Sequence, residues 1–487
     1  MTPRTVLLVL CLLWWESGAF AMNVPSFPAD KTVRARATIA GHVIEYDATV
    51  GSIPARATDG AEIGDVVFIA YVVPAQNGRR PVTFAFNGGP GSPAALVNLG
   101  ALGPKRVQFG APGDAPSDPP VAADNANSWL EFTDLVFVDP VGTGYSRSRL
   151  DAPATAKAFY GTKTDVRYLS DVVNDWLVAQ GRLTSPKYLV GESYGGFRVP
   201  RIAEELRDRL GVAVSGVVMI SPALDFGAFG VETAVSPISW IAELPSMTAA
   251  HLEAQGKLSS HALVEVEEYA RSEFAVDLLR GRSDPEAVER LATREAAYVG
   301  LDRQLIVSLA GRISPAVFIR ESNRSKARIG SIMDGGFTAW DPFPEFASEP
   351  GADAFEGVNA VSASAIVDFI TRTVGWPGTG TYRIHDPAVG KAWEFDPPDD
   401  GSVAALRRLL ASDPRLQAMI AHGYTDLNCP YFASRLIVDQ FPEYGAPGRV
   451  RLPVYPGGHM FYTRVQSAQA FRDDARRMYL GVGPGER

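Results

Sequence analysis

The sequence predicts an α/β protein in which helices flank a mostly parallel central sheet. Short apolar segments such as "TDLVFVDP" and "KYLVGES" are typical of buried strands. Between them, "TDVRYLSDVVNDWLVAQGRL" and "FRVPRIAEELRDRL" carry apolar residues at the spacing of one helix face. Strands that alternate with helices in this way form a parallel sheet with helices on both faces.

The elements divide the chain into a core in two parts and one insertion. Residues 22–226 form the first part of the core, and the apolar runs in residues 38–73 predict antiparallel strands that precede the alternation. Residues 227–398 are richer in helix-like stretches and predict a largely helical cap. Residues 399–487 complete the core, with "LQAMIAHGYTD" and "VRLPVYPGGHMFY" as predicted strands.

Residues 1–21 predict a secretory signal peptide. Arg4 precedes an apolar stretch at residues 6–15, and Ala19-Phe20-Ala21 matches the small-residue pattern of a cleavage site. The apolar stretch is too short to cross a bilayer as a helix. We therefore expect export to the periplasm or the medium, with no membrane attachment after cleavage.

The composition and the motifs limit the partners and cofactors that we expect. The 487-residue chain has a net charge of −9 and no basic block, so nucleic acid is not an expected partner. Cys11 falls in the signal peptide, which leaves Cys429 as the one cysteine of the mature chain and predicts no internal disulfide. The chain has no metal-ligand spacing, and its glycine-rich loops lack the Lys-Ser/Thr ending of a phosphate loop. No metal or cofactor is therefore predicted.

The stretch Gly191-Glu192-Ser193-Tyr194-Gly195 matches the nucleophile-elbow pattern G-x-S-x-G. Glycines on both sides allow a tight, strained turn that lifts the serine hydroxyl out of the backbone. The pattern alone is weak, but a predicted strand precedes it and a predicted helix follows it, as an elbow requires. Ser193 is therefore the candidate nucleophile, and an ordinary loop serine is the alternative.

A serine nucleophile needs a base and an acid that follow it in the order Ser, acid, His. His459 lies on a loop directly after the predicted strand "VRLPVY", and Asp426 follows the preceding strand. His422 lies within its strand and is more often structural in such a position. The predicted triad is Ser193, Asp426 and His459, in which His459 removes the serine proton and Asp426 fixes the imidazole tautomer.

A tetrahedral intermediate also needs backbone donors for its oxyanion. The amide after the nucleophile, that of Tyr194, supplies one donor, and an earlier strand-to-helix loop supplies the other. The loop "NGGPGS" is the candidate, because its glycines let backbone amides approach a substrate closely. An ordinary Gly-Pro turn is the alternative interpretation.

Five motifs together resemble the serine carboxypeptidase family, in its bacterial exported branch. They are "FNGGPGSP", "NSWLEFTDLVFVDPVGTGYSRS", "GESYGG", "HGYTDLNCPY" and "GGHMFY", in family order over residues 86–462. The resemblance implies an α/β-hydrolase core with a helical cap. It also implies a peptide substrate with a free C-terminal carboxylate, from which single terminal residues are removed.

The resemblance also implies roles for individual residues. Ser193, Asp426 and His459 would be the triad. Gly89 and Tyr194 would give the oxyanion-hole amides. The substrate-binding residues would be Asn87, Gly88, Glu192, Cys429 and Met460, of which Asn87, Gly88 and a protonated Glu192 would bind the terminal carboxylate.

The chain departs from the family pattern near Glu192. Many members carry a second glutamate where this chain has Ala101, and without it Glu192 should ionise more easily. The residues alone leave three functions open: a carboxypeptidase, an esterase or acyltransferase that uses the same triad, and a non-catalytic binding protein. A monomer and a homodimer are both compatible with the sequence.

Overall fold

The computed structural model describes residues 27–74, 80–109, 115–226, 236–345, 353, 355, 357–395, 401–445 and 448–481. The predicted signal peptide lies outside these residues. Among them, eleven strands form one mixed sheet in the order β1-β2-β3-β7-β4-β9-β10-β13-β14, with β8 paired to β3 and β15 paired to β13. The strands are β1 (Lys31–Ile39), β2 (His42–Arg56), β3 (Glu62–Val72), β4 (Val82–Phe86), β5 (Lys105–Val107), β6 (Ala122–Asp124), β7 (Asp134–Val138), β8 (Arg147–Ser148), β9 (Lys187–Glu192), β10 (Gly216–Ile220), β11 (Arg328–Gly330), β12 (Thr338–Trp340), β13 (Gln417–Gly423), β14 (Val450–Arg451) and β15 (Val454–Tyr455).

Helices connect most of these strands. The α-helices are α1 (Ala95–Val97), α2 (Ala152–Phe159), α3 (Thr162–Ala179), α4 (Tyr194–Leu210), α5 (Ile238–Ala254), α6 (Ser260–Tyr269), α7 (Ala275–Arg280), α8 (Pro285–Val299), α9 (Arg303–Leu309), α10 (Pro315–Glu321), α11 (Gly357–Asp368), α12 (Pro387–Lys391), α13 (Ser402–Ser412), α14 (Tyr431–Val438) and α15 (Val465–Tyr479). Short 3-10 turns lie at Trp129–Glu131, Arg324–Lys326 and Phe461–Thr463, and π-helical turns lie at Asn98–Leu102, Ala270–Phe274 and Phe369–Val374.

The predicted α/β architecture is confirmed. Strands β4, β7, β9, β10 and β13 run parallel, whereas β1, β2 and β3 form the antiparallel edge that residues 38–73 predicted. Every residue of β4, β7, β9 and β10 is buried, because helices cover both faces of the sheet. One apolar cluster packs α3, α4 and α13 on one face, and a second packs α11 and α15 on the other.

Helices α5 to α12 lie between β10 and β13 in the chain, where the sequence predicted a cap. Helices α5, α6 and α8 share an apolar cluster of their own. Tyr431 and Phe432 of α14 belong to this cluster and connect it to the core. The predicted boundaries after residues 226 and 398 fall in segments outside the described residues, so they stay predictions.

The last predicted strand is shorter than expected. "VRLPVYPGGHMFY" forms only β14 and β15, two residues each, separated by Leu452 and Pro453. Proline has no amide hydrogen for a strand ladder, and its carbonyl instead accepts a hydrogen bond from the His422 amide at 3.1 Å. Within the part of the chain that is described, no helix has the length and apolar character needed to cross a membrane.

Candidate functional site

Ser193 occupies the turn between β9 and α4. Its backbone has φ 57° and ψ −122°, a strained conformation for a residue with a side chain. The turn requires glycine nearby, because a Cβ atom on Gly191 would lie 2.0 Å from the carbonyl oxygen of Gly195. A Cβ atom on Gly195 would lie 2.7 Å from the carbonyl oxygen of Phe86. The structure therefore places Ser193 in the conformation that the G-x-S-x-G pattern predicted, and its side chain is partly exposed.

Asp426 and His459 form a hydrogen-bonded pair. Asp426 follows β13, and its Oδ2 accepts a hydrogen bond from His459 Nδ1 at 2.9 Å. The other oxygen, Oδ1, accepts the backbone amides of Asn428 at 2.9 Å and Cys429 at 2.8 Å. Asp426 is fully buried and His459 is 2% exposed. The carboxylate is thus fixed on both oxygens and holds the proton of the imidazole on Nδ1.

The surroundings of His459 favour its charged form. Burial lowers the pKa of the imidazole, but the Asp426 carboxylate outweighs burial and raises the pKa well above its usual value. The His459 ring is therefore suited to accept and stabilise a proton. His422, by contrast, lies inside β13, where burial lowers its pKa to about 3 and its Nε2 contacts Ser434 Oγ at 2.8 Å.

Cys429 lies near both the serine and the histidine. Its thiol is buried, and the side chains of His459 and Ser193 both act to lower its pKa. Burial raises the pKa of this thiol, so the sulfur is held in its neutral form. The structure thus brings Cys429 to the predicted site. Met460 follows His459 directly and is buried in the apolar cluster on one face of the sheet.

The glycine loop after β4 packs directly on the elbow. A Cβ atom on Gly88 would lie 2.6 Å from the amide nitrogen of Tyr194 and 2.9 Å from Ser193 Cβ. Gly89 has φ 103°, a conformation that disfavours any residue with a side chain. The Gly88 backbone thus lies against the amide of Tyr194, at the start of α4. The roles of Gly89 and Tyr194 as oxyanion donors stay predictions.

Glu192 lies next to the nucleophile in a group of buried polar side chains. Its Oε2 accepts a hydrogen bond from Asn87 Nδ2, and its Oε1 accepts one from the hydroxyl of Tyr462. Burial raises the pKa of the carboxyl group, while His459 and these two hydrogen bonds act in the opposite direction. The structure thus joins Asn87 and Glu192, as the prediction of a shared binding role requires.

Tyr462 is the residue of this group that the sequence analysis did not single out. It stands three positions after His459 in the motif "GGHMFY", and its side chain is fully buried. A polar aromatic residue on the histidine loop was the available signal. Ala101, which occupies the position of the expected second glutamate, is buried in the π-helical turn and offers no polar side chain to Glu192.

The sheet order and the elbow define an α/β-hydrolase. The family model described as serine carboxypeptidase matches residues 64–223, so this part of the chain is similar to the serine carboxypeptidase family. The fold is similar to a crystal structure of Kex1(delta)p, a prohormone-processing carboxypeptidase from Saccharomyces cerevisiae, with a TM-score of 0.57 and 16% identity over 90% of this chain and 91% of that one.

Curated relatives match over a shorter stretch. The chain is 32% identical over 165 residues to the pheromone-processing carboxypeptidase KEX1 of Yarrowia lipolytica, which is 33% of this chain and 25% of that protein. It is 29% identical over 149 residues to serine carboxypeptidase-like 8 of Arabidopsis thaliana, which is 29% of this chain and 32% of that protein. The matched stretch is thus a quarter to a third of these relatives.

Proposed function

We propose that this chain is a serine carboxypeptidase that releases C-terminal residues from peptides through an acyl-enzyme. The observation that carries the proposal is the buried group of Asn87 and Glu192 beside Ser193, close to the hydrogen-bonded pair of Asp426 and His459. Reactive groups and a carboxylate-binding group would then lie on neighbouring loops of one site. The match of residues 64–223 to the serine carboxypeptidase model supports the same reaction class.

The proposed chemistry begins at Ser193. Its Oγ attacks the carbonyl carbon of the last peptide bond, while Nε2 of His459 takes the hydroxyl proton. Asp426 keeps the other imidazole proton on Nδ1 and stabilises the imidazolium that forms. The oxyanion of the intermediate would accept hydrogen bonds from the backbone amides of Gly89 and Tyr194.

Collapse of the tetrahedral intermediate breaks the carbon–nitrogen bond. His459 gives its proton to the leaving amine, so that the terminal amino acid departs and the shortened peptide remains as an ester on Ser193. Water then attacks this ester with His459 again as the base. The reaction releases the shortened peptide and restores the serine hydroxyl.

Recognition of the terminal carboxylate would rest on Asn87, Gly88 and Glu192. Asn87 offers a neutral donor, and Glu192 can donate only while it is protonated. Because burial raises the pKa of Glu192, the protonated form extends to higher pH than for an exposed glutamate. We therefore expect binding of free-acid substrates to weaken as the pH rises.

The test compares three substrates that share the same N-acyl amino acid. An N-acylated dipeptide with a free carboxylate, its C-terminal amide and a matched N-acyl amino acid ester are assayed from roughly pH 4 to 8. Release of the terminal amino acid from the free acid, with poor cleavage of the amide and no turnover by Ser193→Ala, supports the proposal. Serine-dependent cleavage of the ester without release from the free acid favours an esterase or acyltransferase instead.

We further propose that the mature chain is exported and begins after Ala21. The proposal rests on Arg4, the apolar stretch at residues 6–15 and the small residues before the predicted cleavage point. Expression of the full chain in a bacterium, followed by fractionation and N-terminal sequencing, tests it. An intact N-terminus on cytoplasmic protein would contradict the proposal.

A further inference from the structure

Both oxygens of the Glu192 carboxyl group have a fixed hydrogen-bond donor. Asn87 Nδ2 donates to Oε2, and the Tyr462 hydroxyl donates to Oε1. Glu192 is 2% exposed, so these protein groups stand where water would solvate a surface carboxyl. A buried carboxyl with one fixed donor on each oxygen keeps a single orientation.

The position of Asn87 is set by its own contacts. Its Oδ1 accepts the backbone amide of Val97 at 3.0 Å, which directs the amide nitrogen towards Glu192. Its backbone carbonyl accepts a hydrogen bond from Arg198 Nη1 at 2.8 Å. Arg198 is itself held by a buried ion pair with Asp165, in which Nε and Oδ2 are 2.5 Å apart.

The position of Tyr462 is set just as firmly. Its ring lies so close to Gly100 that a Cβ atom there would be 2.9 Å from Cε2. Its backbone carbonyl accepts a hydrogen bond from Arg106 Nη2 at 3.2 Å. Burial and the neighbouring Glu192 raise the pKa of the phenol well above its usual value, so the hydroxyl keeps its proton.

We propose that Tyr462 is a positioning residue of the carboxylate-binding site, and that its hydroxyl holds Glu192 in the orientation that receives the C-terminal carboxylate of a peptide. The inference rests on the proposed carboxypeptidase function. Tyr462 reaches Glu192 from the loop that carries His459, so the reactive histidine and the binding glutamate are fixed by one segment. The hydroxyl of Tyr462 is the second polar partner of Glu192, beside the amide of Asn87.

The charges around Glu192 give the sign of a pH effect. His459 lowers the pKa of Glu192 and Asp426 raises it, while the charge of Arg106 lowers the pKa of Tyr462. A hydrogen bond from Tyr462 stabilises the ionised carboxylate more than the neutral acid. Loss of this hydroxyl should therefore raise the pKa of Glu192 and move the alkaline limb of free-acid hydrolysis to higher pH.

The test uses Tyr462→Phe, which removes the hydroxyl and keeps the ring. On the acidic plateau we expect KM for the N-acylated dipeptide acid to rise roughly 10- to 100-fold, because a hydrogen bond to a buried acid is lost. We expect kcat to stay within about threefold, and the matched ester to be hydrolysed as by the wild type. The alkaline limb should move to higher pH for the acid only.

Tyr455→Phe is the matched control. Its hydroxyl donates to Asp474 at 2.5 Å, and its ring stacks on Phe461, the neighbour of Tyr462. The same chemical change there should leave the ratio of acid to ester hydrolysis unaltered. An equal loss on acid and ester in Tyr462→Phe, or an unchanged KM for the acid, overturns the inference.

Two further variants keep the test decisive. If Tyr462→Phe does not fold, Gly100→Ala takes its place, because its methyl group displaces the Tyr462 ring without removing the hydroxyl. This variant should raise KM for the acid alone. Equal effects on acid and ester hydrolysis overturn the inference. In a Glu192→Gln background the effect of Tyr462→Phe on KM should shrink, because the hydroxyl acts through Glu192; independent effects overturn it. Failure of the wild type to use the acid, with ester hydrolysis intact, would instead refute the proposed function.

Discussion

Replacement of Asp426 by asparagine tests whether the buried pair works as a base and its orienting acid. The two oxygens of Asp426 have different partners: Oδ1 accepts two backbone amides, and Oδ2 accepts His459 Nδ1. The backbone amides require an acceptor, so the asparagine oxygen must stay at the Oδ1 position. The asparagine NH₂ group is then forced to face Nδ1, where only an acceptor fits a protonated nitrogen.

The expected loss of activity follows from a change in the tautomer of the His459 imidazole. His459 must place its proton on Nε2 and accept from the new amide at Nδ1, so it can no longer take the proton of Ser193. A wrong tautomer in a catalytic triad lowers kcat by about four orders of magnitude. The fold should persist, because every buried polar atom of residue 426 keeps a partner of the right kind.

The assay measures single-turnover acylation by an activated ester near neutral pH, with circular dichroism and thermal unfolding as checks on the fold. Asp474→Asn is the control, since it makes the same change at the carboxylate that accepts from Tyr455. A folded Asp426→Asn protein that keeps acylation within about tenfold of the wild type would refute the assigned roles of Asp426 and His459.

Three further predictions concern stability. Gly191→Ala places a methyl group 2.0 Å from the Gly195 carbonyl oxygen and should cost about 1–3 kcal/mol in urea unfolding; an unchanged midpoint contradicts the strained-turn interpretation. Arg198→Met leaves the buried Asp165 unpaired and should cost about 3–5 kcal/mol, most of which Asp165→Leu in the same chain should restore. Burial raises the pKa of Asp139 from 3.8 to about 7, so its contribution to stability is complete below pH 3.8 and is lost as the pH rises through about 7. In Asp139→Asn this loss should disappear, and parallel stability–pH curves for the two proteins would contradict the assignment.

The parts of the site that depend on local geometry could be predicted from the sequence. A glycine two residues on either side of Ser193 is required because the turn brings Gly191 and Gly195 into contact. The requirement is therefore visible in the sequence as the G-x-S-x-G pattern. The order of strands and loops likewise predicted that Asp426 and His459 would meet, and Asp426 Oδ2 lies 2.9 Å from His459 Nδ1.

Other parts could not be predicted, because they depend on contacts between distant residues. Tyr462 and Glu192 are 270 positions apart, and nothing in "GGHMFY" indicates that its tyrosine reaches the residue before the nucleophile. The ion pair of Arg198 with Asp165 likewise joins two helices whose relative position only the folded core defines. Strands β14 and β15 are short because Pro453 interrupts the strand between them. The effect of this proline depends on its pairing with β13, which the local sequence does not show.

The end of β10 explains how three separate loops form one site. Strand β10 lies between β9, which ends at the elbow, and β13, which precedes Asp426. The amide of Ser193 donates to the carbonyl of Ile220, the last residue of β10, at 2.8 Å. Ser221, the next residue, donates its hydroxyl to the carbonyl of His459 at 2.8 Å. Adjacent residues thus hold the nucleophile loop and the histidine loop at the carboxyl edge of the sheet, where parallel strands place their functional side chains. The spacing between Ser193 and His459 therefore depends on the register of β10 as well as on their own loops.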